Sequence, residues 1–429
     1  MSAGTELASS PPPSSPSRER APVRRSAVRT ALVVGAFVLL ALSVARAVSD
    51  ESVLTSTGTA AAVLSLALPI GLAGLGGLVS ERAGVTNIGL EGMMILGTWG
   101  AGWAGYQWGP WAALVGALVG GALGGLLHAV ATVTFGVDHI VSGVAINLLA
   151  AGLVRFLSEL LFEGVPGGGP TQSPTISGDG QSFDVPVLAS GPDLLGRLEE
   201  TRVVVLADVA GLLRGLLTAV TPVEIIGVLL FPLVWFLLWR TVIGLRWRSA
   251  GENPYAADSL GVPVYRMKYV AVVTSGALAG LGGLFIVLFS GLYKEGQTGG
   301  RGFIGLAAMI FGNWRPGGLA GGSLLFGYAD AVRLRGQGSG GVLALFLFAA
   351  IILAGLAIWR LRTGHRVSGA VLAGLAATGL LAFLGLDGLP NEVTTVTPYI
   401  VTLLVLVLSA QNLRMPTYNG VVYRRGEEP

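Results

Sequence analysis

A short stretch between two long apolar runs of this chain collects residues that could do chemistry. Residues 80–94 read SERAGVTNIGLEGMM and include Glu81, Arg82, Asn87 and Glu91 among three glycines. A helix would place Asn87 and Glu91, which are four residues apart, on one face. A carboxylate and an amide on that face could line a polar path through a membrane, or they could fasten a break that the glycines permit. The sequence leaves both interpretations open.

The composition places this stretch in a membrane protein. Of the 429 residues, 52% are hydrophobic and only 12% are charged, whereas soluble proteins average about 25% charged residues. The 66 glycines are about twice the usual share, and small residues let membrane helices pack closely. The chain has no cysteine, which excludes disulfides, thiolate metal sites and cysteine nucleophiles. We therefore expect an all-α polytopic membrane protein.

Apolar runs of about 20 residues, the length that crosses a bilayer, recur along the chain. Residues 1–26 are predicted to be a disordered basic tail, 27–412 the membrane domain and 413–429 a second tail. Within the membrane domain, 303–335 is predicted to be a broken or re-entrant hairpin, because NWRPGG at 313–318 interrupts it. Ten crossings are predicted, at residues 28–48, 59–79, 86–106, 111–135, 140–162, 222–243, 269–292, 341–359, 367–386 and 396–412.

The placement of arginine predicts which ends face the cytoplasm. Arginines cluster in both tails, in the loop 244–268 and in the turn 360–366, whereas the loop 163–221 has an acidic excess. The basic segments fall on one side if the chain crosses ten times and the hairpin returns to its own side. Both termini are therefore expected in the cytoplasm and 163–221 outside. Within that loop, 201–219 is predicted to be an amphipathic helix on the outer surface.

A pair of segments occurs twice in the same order. The heptad LAGLGGL at 72–78 returns at 278–284, and the two copies are followed by IGLEGMMILG at 88–97 and IGLAAMIFG at 304–312. The predicted topology runs the two copies through the membrane in opposite directions. The pattern indicates an inverted repeat, on which many transporters build alternating access.

The predicted cytoplasmic loop 244–268 contains a second informative stretch, GENPYAADSLG. Asn253 has the chemistry of a helix N-cap, and Pro254 suits the first helical position. Gly261 suits the helix end. We expect a short capped helix at the cytoplasmic face, which is either a docking knob for a partner or an ordinary structured loop.

Four motifs, in order, resemble the permease subunits of bacterial ABC importers for branched-chain amino acids, ribose and nucleosides. The similarity is greatest with the nucleoside, or simple-sugar, branch and spans about residues 58–335. The motifs are ERAGVTNIGLEGM at 81–93, DHIVSGVAINLLA at 138–150, GENPYAADSLGV at 251–262 and GRGFIGLAAMIFGNWRPGG at 300–318.

The resemblance implies an inverted-repeat permease fold in the bacterial plasma membrane, forming the path for a nucleoside or related simple sugar. Asn87, Glu91 and Asn147 become candidates for the translocation path or its helix packing. The loop 244–268 would carry a coupling helix for a separate ATP-binding subunit. The implied coupling contact consists of Gly251, Glu252, Asn253, Pro254, Ala256, Ala257 and Gly261.

The resemblance also implies the partners of this chain. They are the ATP-binding subunit, a sister permease of different sequence, an extracytoplasmic substrate-binding lipoprotein and the lipid bilayer. ATP and magnesium would bind to the partner subunit, so no cofactor is expected in this chain.

Other functional classes fit the residues less well. A secondary transporter would share the inverted repeat and use Glu91 or Asp138 as a proton or sodium site, but it gives no reason for a capped cytoplasmic helix. An enzyme is not expected, because His128, His139 and His365 lack metal-ligand spacing and no Ser-His-Asp set is apparent. The two lysines lie outside any phosphate-binding loop motif. The basic residues are too dispersed for a nucleic-acid surface.

Overall fold

The chain folds as an array of α-helices in the computed structural model. The structure describes residues 23–426 except 177–183, 185, 187, 202, 204, 337–339, 387, 391, 394, 397–399 and 401–412. In those residues the regular secondary structure is helical apart from isolated β-bridges. The predicted tenth crossing, 396–412, and most of the predicted tail 1–26 lie outside the described residues.

Fifteen α-helices follow one another in the described part of the chain. They are α1 (Val23–Ser49), α2 (Thr57–Arg82), α3 (Leu90–Trp108), α4 (Pro110–Ala129, extended by a π turn Val130–Thr134), α5 (His139–Leu161), α6 (Leu194–Glu200), α7 (Leu206–Leu217), α8 (Pro222–Arg240), α9 (Val242–Glu252), α10 (Pro254–Ser259), α11 (Val264–Ser290), α12 (Arg301–Phe311), α13 (Pro316–Arg335), α14 (Gly340–Arg362) and α15 (Arg366–Gly385).

Seven of the described helices are long and apolar enough to cross a membrane: α2, α4 with its π turn, α5, α8, α11, α14 and α15. They confirm the prediction of an all-α polytopic membrane protein. The predicted span 86–106 differs from the structure, because residues 83–89 are not helical and α3 begins only at Leu90. The segment 303–335 contains two helices, α12 and α13, separated by a turn at 312–315.

The centre of the molecule is the crossing of α2 and α11, which run antiparallel to each other. A Cβ atom added to Gly76 would overlap the carbonyl oxygen of Ser275, and one added to Gly282 would lie 2.7 Å from that of Pro69. These glycines let the two backbones touch, which maximises the dispersion contacts that hold membrane helices together. The leucines of both helices fill the surrounding core; Leu72, Leu75, Leu78, Leu281 and Leu284 are all buried.

The packing of α3 and α4 onto α11 also depends on glycines that let the helix backbones touch. Added Cβ atoms at Gly97 and Gly121 would both collide with the backbone of Gly280. The three helices therefore meet at glycine, where a side chain has no room. This close approach holds the beginning of α3 in place beside α11.

Helix α7, in the loop 163–221, lies against one end of α2. It confirms the prediction of a short amphipathic helix within 201–219. Buried Asp208 of α7 accepts hydrogen bonds from the Arg46 guanidinium at 2.9 Å and from the Thr55 hydroxyl at 2.7 Å, which ties α7 to α1 and to the turn before α2. Arg214 forms ion pairs with Asp193 and Glu199, which tie α7 to α6.

The close packing at Gly280 predicts that a single methyl group destabilises the protein. In Gly280→Ala the new Cβ would collide with the carbonyl oxygen of Ala117, and overpacking of this kind costs about 1–3 kcal/mol. We expect a lower thermal unfolding midpoint of the detergent-purified protein, followed by tryptophan fluorescence.

The matched control is Gly152→Ala in α5, where an added Cβ has nothing within 4 Å. This substitution should leave the midpoint unchanged or raise it, since alanine favours helices over glycine. Equal effects of the two substitutions would contradict the proposed packing.

Candidate functional site

The candidate site is built around the non-helical segment 83–89, which lies between α2 and α3 and is mostly buried. Buried backbone N–H and C=O groups need partners, and inside a membrane water does not supply them. The first partner is Ser80 at the end of α2. Its hydroxyl donates to the carbonyl oxygen of Val85 at 2.7 Å, and its carbonyl oxygen accepts from the Val85 N–H at 3.1 Å.

Two buried histidines satisfy the backbone of Thr86. Its N–H donates to Nδ1 of His139 at 3.2 Å, and its carbonyl oxygen lies 3.0 Å from Nε2 of His128. A carbonyl oxygen only accepts, so Nε2 of His128 donates to it, and Nδ1 of the same ring lies 2.8 Å from the Ser142 hydroxyl. Both rings therefore satisfy the backbone of Thr86.

Asn87 lies inside the non-helical segment and is fully buried. Its side-chain NH2 donates to the Ser275 hydroxyl of α11 at 2.9 Å, and its side-chain oxygen accepts from the N–H of Gly89 at 3.0 Å. Asn87 thus links the segment to the point where α11 crosses α2. Because α3 begins at Leu90, Asn87 and Glu91 do not share a helical face.

Asn147 of α5 holds the junction between the segment and α3. Its side-chain oxygen accepts from the N–H of Gly92 at 2.7 Å, and its NH2 donates to the carbonyl oxygen of Ile88 at 3.1 Å. One amide therefore satisfies a donor at the start of α3 and an acceptor just before it. Gly92 leaves no space for a side chain beside Asn147.

The Glu91 carboxylate caps the second broken element. Its two oxygens accept from the N–H of Gly300 at 2.9 Å and from that of Gly302 at 2.7 Å. These groups lie at the start of α12, where a negative charge also stabilises the helix dipole. The non-helical stretch 291–300 before α12 is thereby fastened to the start of α3.

A cavity of about 170 Å³ lies between α3, α5 and the stretch 291–300. Among its lining residues are Thr98, Val154, Tyr293 and Gln297. The side-chain NH2 of Gln297 is buried without a hydrogen-bond partner. Burial raises the pKa of Tyr293 to about 12, so its hydroxyl stays neutral. The wall thus combines apolar surface with uncharged polar groups, and Lys294 and Glu295 also line the cavity; small-molecule sites have this mixture of mostly apolar surface and a few polar or charged groups.

At the C-terminal end of α2, the buried carboxylate of Glu81 accepts hydrogen bonds from Nε1 of Trp314 at 2.6 Å and from the Asn419 side chain at 2.9 Å. Arg82 donates to the carbonyl oxygen of Trp314 at 2.8 Å. Asn313 and Trp314 have φ values of 56° and 50°, which non-glycine residues seldom adopt. The contacts with α2 hold this tight turn between α12 and α13.

Helix α10 confirms the prediction of a short capped helix. The side chain of Asn253 accepts from the Ala256 N–H at 2.9 Å, Pro254 opens the helix and Gly261 follows it with φ of 81°. Gly251 lies directly against the backbone of Arg82 and leaves no room for a Cβ atom. The loop is therefore seated on the C-terminal end of α2.

The seven predicted coupling residues divide into two groups. The buried residues are Gly251, Pro254 and Ala257. The exposed residues are Glu252, Asn253, Ala256 and Gly261. The sequence analysis missed Leu260, whose side chain is 85% exposed beside Ala256 and Gly261. A large apolar residue at the end of a helix in an otherwise polar loop was the available signal.

The sequence analysis also missed the segment 413–426, which packs against α10. Buried Tyr423 contacts Tyr255 and Tyr265, with ring centroids 5.1 and 5.3 Å apart. Among the described residues, no three His, Asp or Glu side chains converge as a metal site.

A family model, described as the permease component of a branched-chain amino acid transport system, matches residues 59–354. The chain belongs to this permease family. Guanosine ABC transporter permease protein NupQ of Bacillus subtilis is 32% identical over 374 residues, covering 85% of this permease and 96% of NupQ.

Two further relatives carry related names. Nucleoside ABC transporter permease protein NupC of Lactococcus lactis is 36% identical over 68% of this permease and 90% of its own length. The putative glucose ABC transporter permease protein TsgC13 of Haloferax volcanii is 35% identical over 66% and 78%. No solved structure matches the permease.

The two hydrogen bonds of Asn147 predict a measurable loss of stability in Asn147→Ala. The substitution removes the partners of the Gly92 N–H and the Ile88 carbonyl, and each unsatisfied group costs about 1–3 kcal/mol. We expect a lower thermal unfolding midpoint in detergent.

Gln107→Ala is the matched control, since the Gln107 amide is exposed and donates only within its own helix, to the carbonyl oxygen of Trp103. A midpoint that falls equally in both variants would contradict the assigned role of Asn147.

Proposed function

We propose that this permease forms the translocation path for a nucleoside or a related simple sugar in an ABC importer, powered by ATP hydrolysis in a separate subunit. The observation that carries the proposal is the seat of α10. Its exposed face is available to a partner, while Gly251, at the end of α9 just before α10, rests on Arg82 and Gly84, where the broken element begins. A push on α10 would therefore reach the segment 83–89.

The proposed inverted repeat is supported by the contacts between α2 and α11. The two heptads, at 72–78 and 278–284, start 206 residues apart. At this offset Pro69 in the first repeat corresponds to Ser275 in the second, and Gly282 in the second corresponds to Gly76 in the first. The Pro69–Gly282 contact therefore has a counterpart in the Ser275–Gly76 contact, and both contacts are present. A two-fold axis in the membrane plane relates contacts in this way. Each heptad is also followed by a non-helical stretch.

The proposed substrate class rests on the cavity and on the names of the relatives. A neutral nucleoside needs an apolar wall for stacking and uncharged donors for its ring nitrogens and hydroxyls. The cavity supplies Tyr293, Thr98 and the unpaired NH2 of Gln297. A free sugar would use the same polar groups but gains less from the apolar wall, so we favour the nucleoside.

The proposed partners each have a surface on this chain. The exposed face of α10 would dock the ATP-binding subunit, which holds ATP and magnesium. The apolar outer face of α5, where Leu148 is 73% and Phe156 60% exposed, would meet a sister permease of different sequence. The loop 163–221 would face the substrate-binding lipoprotein. Lipid covers the remaining apolar surface, and no nucleic acid is involved.

The secondary transporter has less support. Both carboxylate oxygens of Glu91 accept hydrogen bonds at the start of α12. The carboxylate that a proton or sodium ion would bind is therefore already used in capping this helix. Asp138 caps the start of α5 by accepting from the N–H groups of Ile140 and Val141. Glu91 and Asp138, the two candidate ion-binding residues, therefore both cap helices.

The proposed topology has ten crossings with both termini in the cytoplasm, and single cysteines in this cysteine-free chain test it. Thr201→Cys, in the loop 163–221, should react with a membrane-impermeant maleimide in intact cells. Ser259→Cys, at the end of α10, should react only after permeabilisation. Both positions are exposed, so accessibility reports the side of the membrane. The opposite labelling pattern would overturn the topology.

The docking role of α10 predicts that a charge on its exposed apolar residue releases the partner. An N-terminally tagged permease, whose tag avoids the segment 413–426, should co-purify with an ATP-binding subunit, a sister permease and a lipoprotein. Leu260→Asp should lose most of the ATP-binding subunit, because a buried unpaired carboxylate is costly at an interface.

Val367→Asp, at another exposed apolar position (81% exposed) at the start of α15, is the matched control and should retain the subunit. Equal recovery of the ATP-binding subunit from Leu260→Asp and from the unmutated chain would contradict the docking role.

A further inference from the structure

We propose that the C-terminal segment 413–426 is a strut that transmits movement of α10 to the inner ends of α2 and of the α12–α13 pair. The inference rests on the proposed function, since it assumes that a partner moves α10. It assigns a mechanical task to a segment that lies outside the four recognised motifs. The contacts at each end of the segment carry the argument.

One end of the strut is locked to α10 by aromatic packing. Tyr423 is only 5% exposed and lies between Tyr255 of α10 and Tyr265 at the start of α11. The Tyr418 ring is 6.1 Å from that of Tyr255. Tyr423 also belongs to a buried apolar cluster with Ala257. Edge-to-face aromatic pairs such as Tyr255–Tyr423 contribute beyond the area that they bury, so α10 and the strut form one packed unit.

Hydrogen bonds and an ion pair also join the strut to residues 251–258. The Tyr418 N–H donates to the carbonyl oxygen of Gly251 at 2.9 Å. The Thr417 hydroxyl donates to the Glu252 carboxylate at 3.1 Å. Arg425 pairs with Asp258 at 3.2 Å, although this exposed pair is worth little by itself. The strut thus follows the backbone of the coupling loop from residue 251 to the end of α10.

Two further positions of the strut, Asn419 and Arg414, contact the break after α2 and the α12–α13 turn. The Asn419 side chain donates to the buried Glu81 carboxylate at 2.9 Å, and its oxygen accepts from the Thr86 hydroxyl at 3.2 Å. The Arg414 N–H donates to the side-chain oxygen of Asn313 at 2.7 Å. Within a few residues the segment contacts α2, the break after α2 and the α12–α13 turn.

The direct contact of this region with α2 is small by comparison. It is made by the end of α9, just before α10: Gly251 lies close to Arg82 and Gly84, and Glu252, which is half exposed, forms a 3.9 Å ion pair with Arg82. These contacts reach α2 and the break after it, but not α12. The strut adds that link, because it contacts α10, the break after α2 and the α12–α13 turn.

Asn419→Ala is the decisive variant, because it removes the contacts of the strut with Glu81 and Thr86 and leaves the aromatic packing on α10 intact. Tyr423→Ala removes that aromatic packing, and Tyr423→Phe retains it. Val421→Ala is the matched control, as this side chain is 49% exposed in the same segment. The variants are tested as purified complexes in liposomes, by nucleoside uptake, ATP hydrolysis and subunit content.

We expect Asn419→Ala and Tyr423→Ala to keep the ATP-binding subunit and to hydrolyse ATP within about twofold of the unmutated complex, while uptake falls about tenfold or more, in the range of typical coupling energies. Tyr423→Phe and Val421→Ala should transport normally.

Two results would overturn the strut: normal uptake by Asn419→Ala and Tyr423→Ala, or loss of the ATP-binding subunit from either. The latter would make the segment a docking element only. If the unmutated complex itself shows no ATP-dependent uptake, the proposed function fails before the strut is tested.

Discussion

The structure depends on one constraint: a stretch of non-helical backbone, residues 83–89, is buried within a bundle of membrane helices. Unpaired peptide groups are expensive there, so neighbouring helices must supply partners. His128 of α4, His139 of α5 and Ser275 of α11 all point their polar atoms at this stretch or at its side chains. Much of the buried polarity of this chain is thereby explained as support for the break.

The same constraint shapes the second broken element. The stretch 291–300 leaves the start of α12 without helical partners, and Glu91 from the first broken element supplies them. At the C-terminal end of α2, Glu81 and Arg82 hold the α12–α13 turn. The two breaks therefore brace each other across the α2–α11 crossing. Helix pairs held by a few hydrogen bonds and by glycine contacts can shift as units, which alternating access requires.

Local chemistry allowed part of this arrangement to be predicted from the sequence. The capped α10 follows from Asn253, Pro254 and Gly261. The sequence also singled out Asn87 and Glu91. It predicted a span at 86–106, with a break at the glycines as an alternative, and the long-range partners of the backbone favour a non-helical segment at 83–89.

Long-range contacts explain the remaining differences. His128 and His139 were assessed only for metal spacing, and nothing local reveals that both face Thr86, more than 40 residues away. The contact of 413–426 with α10 joins positions about 160 residues apart, and no periodicity signals it. The exposure of Leu260 likewise follows from how α10 sits on α2, which only the tertiary structure defines.

The most direct test of the account is nucleoside uptake by liposomes that contain the complex purified through this chain, with ATP on the side of α10 and the substrate-binding protein on the other. The account predicts uptake that requires ATP hydrolysis and stops when a non-hydrolysable analogue replaces ATP. Uptake by this chain alone, driven by a proton or sodium gradient without ATP, would contradict it.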